Sequence, residues 1–285
     1  MLPALAGLFV LFCAETGRPD DHLDVTYAEH QRLAADSLLL DVAAVPGHGY
    51  VAVGERGHVV LSADGTSWTQ ADVVPTRSTL TTIAHNEGRL WAGGHDSVIL
   101  TSGDYGRTWT QQFFDPDRQQ PIMDLYFSDA QRGLAIGAYG LALYTTDGGR
   151  NWQDGLINEE EWHNNALLDL GDGRLMVAGE AGFTYRSSDG GETWETIEMP
   201  YPGSMFGIVQ GSGEGCVVVF GLRGNVQETC DFGDTWTELT TGTEASIAGA
   251  VLDEGVNVFV GSSGLVMTRD DGGPFEVQYH SSGVD

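Results

Sequence analysis

The pattern of apolar and polar positions changes character near residue 36. Beyond it, short apolar runs alternate with turns rich in Gly, Asp and Ser, and the apolar positions recur with the period of a strand. The segments "GYVAVGERGHVVLSADG", "RGLAIGAYGLALYTTDG" and "CVVVFGLRGNVQETCDFG" each read as two strands joined by a tight turn between small residues. Six such hairpins are expected, with the two-residue tips Glu55-Arg56, His95-Asp96, Ala138-Tyr139, Glu180-Ala181, Leu222-Arg223 and Ser262-Ser263. A further apolar strand opens each unit, as in "LLLDVAAV" or "IMDLYF". Only "YAEHQRLAADSL", ahead of the repeats, carries a pattern suited to a short helix.

Each unit closes on the same kind of box: "SADGTSW", "SGDYGRTW", "TTDGGRNW", "SSDGGETW", "TCDFGDTW" and "TRDDGGPF". The box acids are Asp64, Asp104, Asp147, Asp189, Asp231 and Asp270, and the closing aromatics are Trp68, Trp109, Trp152, Trp194, Trp236 and Phe275. The aromatics stand roughly 40 residues apart, a spacing that matches one propeller blade of four strands. The expected fold is therefore an all-β propeller of four-stranded antiparallel blades over residues 36–281, with six blades favoured by the box count and seven as the alternative.

Within a box such as "SSDGGETW", Asp189 is placed to accept hydrogen bonds from its own turn, and Gly191 is placed to take a positive φ. The hydroxyls of Ser187 and Thr193 can close the turn, and Trp194 is large enough to wedge between blades. One regular acid per box is too few for a calcium loop, which needs several converging oxygens. The boxes are read as structural, and no metal or cofactor is expected.

Charge narrows the partners. There are 41 acidic residues against 13 basic ones, all of them Arg, so the formal charge is −28. Such a field opposes binding to nucleic acid or to an anionic membrane surface. The apolar run from Leu2 to Ala14 has the length of a signal-peptide core, so residues 1–16 are read as an export leader and 17–35 as an N-terminal extension. The leader looks incomplete at its start, since no basic residue precedes the run, and Phe12 does not suit lipidation at Cys13. The expected product is exported to the periplasm or beyond, monomeric, and not inserted in the membrane once the leader is removed. An exported protein can join Cys216 to Cys230, but the expected register sets Cys216 opposite Thr229, which argues against a disulfide.

The boxes resemble the Asp-box, or bacterial neuraminidase repeat. The segment "IMDLYFSDAQRGLAIGAYGLALYTTDGGRNW" (122–152) is more specific, and it resembles the photosystem II stability and assembly factor family of plants and cyanobacteria together with its non-photosynthetic bacterial relatives. The resemblance implies an exported, non-catalytic propeller that binds a protein client, an assembling membrane-protein complex. Family members usually present a seventh blade and an Arg-rich patch, whereas this chain has six boxes and scattered Arg residues. That departure points to a bacterial relative with a client other than a photosystem. The alternative is a sialidase-like glycoside hydrolase, which requires three converging arginines with a Tyr–Glu nucleophile pair. The Arg-Ile-Pro segment of sialidases is missing, as are the standard nucleophile, phosphate and zinc signatures.

Because the box turns repeat, recognition is expected on the opposite face, where the hairpin tips and blade connections vary. The acidic loop "INEEEWHNN" adds a large aromatic there. The candidate partner-binding residues are Arg56, His95, Arg118, Tyr139, Trp162 and Arg223, chosen because Arg and aromatic side chains carry interface energy when desolvated.

Overall fold

A computed structural model describes residues 25–270 and 272–280. The expected leader and the first part of the extension lie outside the described residues. Twenty-four strands make six antiparallel four-stranded sheets. Blade 1 contains β1 (Leu39–Val45), β2 (Gly49–Gly54), β3 (Val59–Ser62) and β4 (Thr69–Gln70). Blade 2 contains β5 (Leu80–Asn86), β6 (Arg89–Gly94), β7 (Ile99–Ser102) and β8 (Thr110–Phe113). Blade 3 contains β9 (Ile122–Phe127), β10 (Gly133–Gly137), β11 (Ala142–Thr145) and β12 (Gln153–Asp154). Blade 4 contains β13 (Asn164–Asp169), β14 (Leu175–Gly179), β15 (Phe183–Ser187) and β16 (Glu195–Glu198). Blade 5 contains β17 (Met205–Gln210), β18 (Val217–Gly221), β19 (Val226–Thr229) and β20 (Thr237–Glu238). Blade 6 contains β21 (Ile247–Asp253), β22 (Val256–Gly261), β23 (Leu265–Asp270) and β24 (Glu276–Tyr279). The fold is a six-bladed all-β propeller.

The cores lie between blades. Strands β14 and β18 are buried along their whole length and read as unbroken apolar runs, as expected for strands covered on both faces. Five cores join blades 1 through 6 in sequence. In each, the box aromatic of the later blade packs into the shared core. Trp109 is 4% exposed in the first of them.

Blade 6 and blade 1 do not meet in this way. Neighbouring inner strands pack together at five junctions, and β21 and β1 make no comparable contact. Position by position, Val42 of β1 corresponds to Ile83 of β5, yet Val42 is 55% exposed and Ile83 is 7% exposed. Val251 and Val260, on the free side of blade 6, are exposed as well. The ring is open. The free flank of blade 1 is covered in part by Ala34, which packs with Trp68, Ala52 and Val60.

Local structure departs from the sequence reading at three places. The segment expected as a helix forms only the short turn Ala34–Asp36. Its preceding residues instead run along the outer edge of blade 1, with Ala28 N donating to Val74 O at 2.9 Å and Gln31 N to Gln70 Oε1 at 2.9 Å. The N–H groups of Ala28 and Gln31 thus find their acceptors on the blade and not in a helical turn. The hairpin tips are shifted by one residue: the left-handed pair of the first tip is Arg56 (φ 57°) and Gly57 (φ 71°), closed by His58 N donating to Glu55 O at 2.9 Å. This mirror-image turn matches the strand twist, and a Cβ on Gly57 would sit 2.3 Å from Thr76 O. Finally, Val217 pairs with Thr229, which sets Cys216 opposite Cys230, and the two form a disulfide with Cα atoms 4.0 Å apart. The expected register was one residue out.

A β-bulge interrupts every inner strand near its start. Just after it, Asp41 Oδ2 accepts from Ile83 N of blade 2 at 2.8 Å, and Asp124 Oδ2 accepts from Leu167 N of blade 4 at 2.7 Å. Thr82 Oγ1 of blade 2 donates to Asp124 Oδ1 at 3.2 Å. A carboxylate or hydroxyl thus ties each inner strand to the next through blades 1 to 4.

Candidate functional site

The box turns use up their own chemistry. In the first five boxes a Ser or Thr hydroxyl donates to the box Asp, at 2.7 Å for Ser187 to Asp189 Oδ1, and accepts from a backbone N–H, at 2.8 Å for Gly191. Asp189 also accepts from Thr193 N at 2.9 Å and from the Thr193 hydroxyl at 2.5 Å. Gly191 holds φ 91°, as its place in the turn requires. Side-chain donors, then backbone donors, hold Asp147, Asp189 and Asp231 down at about 2. These carboxylates are ionised and saturated. In blade 6 the register differs: Arg269 pairs with Asn257 where other blades carry Ser or Thr, and Asp270 ends β23 opposite Val256.

On the opposite face, here called the tip face, the six candidate residues separate into three groups. Arg56 and Arg223 sit exposed on the tips of blades 1 and 5, each at positive φ, and His95 is exposed on the tip of blade 2. No contact joins these three to one another among the described residues. Arg118, on the connection into blade 3, is already committed: it bonds Asp115 at 2.9 Å and both oxygens of Asp154 at 2.5 and 3.1 Å.

Tyr139 and Trp162 are brought together at the junction of blades 3 and 4. Gly140 N, beside Tyr139, donates to Trp162 O at 3.1 Å. Asn158 holds the loop, its Oδ1 accepting from Trp162 N at 2.9 Å and its Nδ2 donating to Trp162 O at 3.2 Å. Tyr139 is 56% exposed and Trp162 37% exposed. The His163 ring stands edge-on to Tyr139, with centroids 4.8 Å apart, and His163 N donates to Glu180 Oε1 at 2.9 Å. Tyr139 occupies the left-handed region at φ 55°, as does Glu161 at φ 56°, conformations that residues with bulky side chains rarely adopt.

Sequence reasoning missed His163 and Glu180, because their pairing depends on how the acidic loop folds back on the next tip. It also treated the box face as uniform. Two grooves of about 880 and 840 Å³ open there, between blades 1 and 2 and between blades 3 and 4. Box-turn and outer-strand residues line the first groove together with His48 of a first turn, and the first turns of blades 3 and 4 add to the second.

No metal-binding group of three or more His, Cys, Asp or Glu side chains occurs among the described residues, and no helix there is long and apolar enough to cross a membrane. The solved structure of YCF48 bound to D1 peptide is similar, at a TM-score of 0.70 and 18% identity over 87% of this chain and 82% of that chain. YCF48 from Cyanidioschyzon merolae is similar at a TM-score of 0.68 and 15% identity, covering 85% of each chain. The GH74 xyloglucanase from Xanthomonas campestris matches at a TM-score of 0.65 and 14% identity, over 82% of this chain and 46% of that one. At such identities the likeness concerns the fold, and the fold is one that also carries glycosidase activity. No curated protein matches the sequence. A family model does, over residues 112–273, from the last strand of blade 2 to the box of blade 6 and so across more than half of the chain. By that match the chain belongs to the family of photosynthesis system II assembly factor YCF48.

Proposed function

We propose that this chain is a non-catalytic, exported, monomeric scaffold that binds a protein client on its tip face, in the assembly or stability of a membrane or envelope complex. The observation that carries this reading is the Tyr139–Trp162 pair. Two large aromatics are held in the open by backbone hydrogen bonds, one of them in a strained conformation. Exposed aromatics on a fixed backbone lose little entropy on docking and are enriched where binding energy concentrates. The solved relative carrying a D1 peptide supports a polypeptide client, here one other than a photosystem. The Cys216–Cys230 disulfide supports an oxidising compartment, and hence export.

Against the hydrolase reading, the box carboxylates are saturated by their own turns, and among the described residues the hairpin tips carry two arginines, Arg56 and Arg223, one fewer than the three a sialidase needs. The test is an affinity pull-down from the membrane fraction with wild type, Tyr139→Ala/Trp162→Ala and Arg56→Ala/Arg223→Ala. The aromatic variant is expected to lose the partners that the wild type recovers, and the arginine variant to retain less of them. Identical recovery by all three would overturn the proposed surface. Turnover of a fluorogenic sialoside would overturn the non-catalytic reading.

A further inference from the structure

We propose that the groove between blades 3 and 4 on the box face binds an extended basic peptide segment, in which a Lys or Arg side chain alternates with an apolar one. This site lies at the same blade junction as the Tyr139–Trp162 surface but on the opposite face of the propeller. The groove, about 840 Å³, is walled on one side by Tyr126, Tyr144 and the outer segment Gln153–Leu156 of blade 3, and on the other by the first turn and the box of blade 4.

Three features define the occupant. The first is charge. Asp154, Asp169, Asp172, Asp189 and Glu192 line the groove, and Arg132 is the single guanidinium among its lining residues. Asp154 is neutralised by Arg118, and Asp189 is occupied by its turn. Asp169 accepts from the Tyr126 hydroxyl at 2.9 Å and from Gly171 N at 2.8 Å, which fixes its carboxylate in the wall. Asp172, raised on a left-handed residue at φ 54°, and Glu192 are exposed with their charges free to meet a cation. In a chain of formal charge −28, the surrounding field draws a basic segment toward this wall.

The second feature is an apolar seat. A Cβ at Gly155 would fall 1.9 Å from the Tyr144 ring, so only glycine lets the backbone lie flat on that ring. The next residue, Leu156, then turns outward and is 61% exposed. Trp194 Nε1 donates to the Tyr144 hydroxyl at 2.9 Å. That leaves the Tyr144 O–H to donate to an incoming carbonyl, and burial raises its pKa so that it keeps this proton.

The third is an open sheet edge. Strand β12 pairs with β11 on one side only, and Gln153–Leu156 lines the groove. An extended segment laid along that edge gains main-chain hydrogen bonds, while its alternate side chains fall on the acidic wall and on Leu156. The groove between blades 1 and 2 is built otherwise, with Arg107 beside its acids and His48 stacked on Tyr105 at 3.5 Å.

The test is calorimetry with a capped nonapeptide alternating Arg or Lys with Val or Leu, and with the same peptide carrying Glu at the basic positions. Wild type is expected to bind the basic peptide and to lose affinity as salt rises, and to ignore the acidic one. Asp172→Asn/Glu192→Gln, two exposed changes outside the box hydrogen bonds, should weaken binding about tenfold with an unchanged melting temperature. Leu156→Ser should weaken it further, whereas Tyr139→Ala/Trp162→Ala should leave it unaltered. Binding by Asp172→Asn/Glu192→Gln equal to wild type, or no binding of the basic peptide by wild type, would overturn the proposal. Loss in the Tyr139→Ala/Trp162→Ala protein alone would do so too, by moving the site to the tip face.

Discussion

Two sets of carboxylates in this protein are shifted in opposite directions by what surrounds them. Box acids such as Asp147, Asp189 and Asp231 are stabilised as anions by turn donors, at about 2. Asp124 is the reverse case. Desolvation among the inner strands, with the nearby charge of Asp41 adding to it, raises it to about 7, and Asp41 shifts in the same direction. A carboxyl raised on folding favours the protonated folded state, so stability from Asp124 is full below the ordinary value of 3.8, falls as pH rises toward about 7, and is level above it. For the box acids the sign is opposite: their contribution is present above about 4 and is lost as pH falls toward about 2. Thermal melts should therefore show a decline between pH 5 and 7.5 that is smaller in Asp124→Asn than in wild type. Equal slopes in the two proteins would remove Asp124 as its source. The sequence shows an Asp inside "IMDLYF" but not its role, because a one-residue bulge decides which neighbour that side chain meets. The box acids were legible, since all their partners lie within a few residues.

At the scale of the element, the box aromatic does different work at different junctions. Trp109 fills the core between blades 1 and 2, whereas Trp68 packs against the small cluster of Ala34, Ala52 and Val60 at the free flank. Trp109→Ala should cost about 3–5 kcal/mol by leaving a cavity. Trp68→Ala should cost about 1–2 kcal/mol, since one side of that ring has no blade to lose. Denaturant melts of the two variants check the difference, and equal losses would mean that the flank is as well packed as a true junction. Strand identity and pairing were readable from apolar alternation and glycine-bearing turns. Register was not readable to the residue. The tips and the Cys216–Cys230 pair each shifted by one, because the two-residue turn is selected by backbone twist and by contacts such as Gly57 on Thr76, which no local pattern contains.

For the whole molecule, counting boxes gave the number of blades, and nothing in the count indicated whether the last blade meets the first. Val42 and Val251 are as apolar as their buried counterparts, so composition alone implies burial at a junction that the structure leaves open. The site candidates divide likewise: single exposed residues such as Tyr139 were visible in the sequence, whereas the groove beside β12 exists only where two blades are juxtaposed. Backbone amides of β1 and β21 should exchange faster than those of β9 and β13, because terminal repeats have one neighbour where internal ones have two. Uniform protection across the four inner strands would show that the flanks are held from both sides. The open flank also changes how the molecule carries load. A closed ring resists spreading as a hoop, sharing tension around its circumference. The described blades form a split washer: a force that spreads blade 1 from blade 6 is passed in series through five junctions, and small rotations at each add up to a change in the gap.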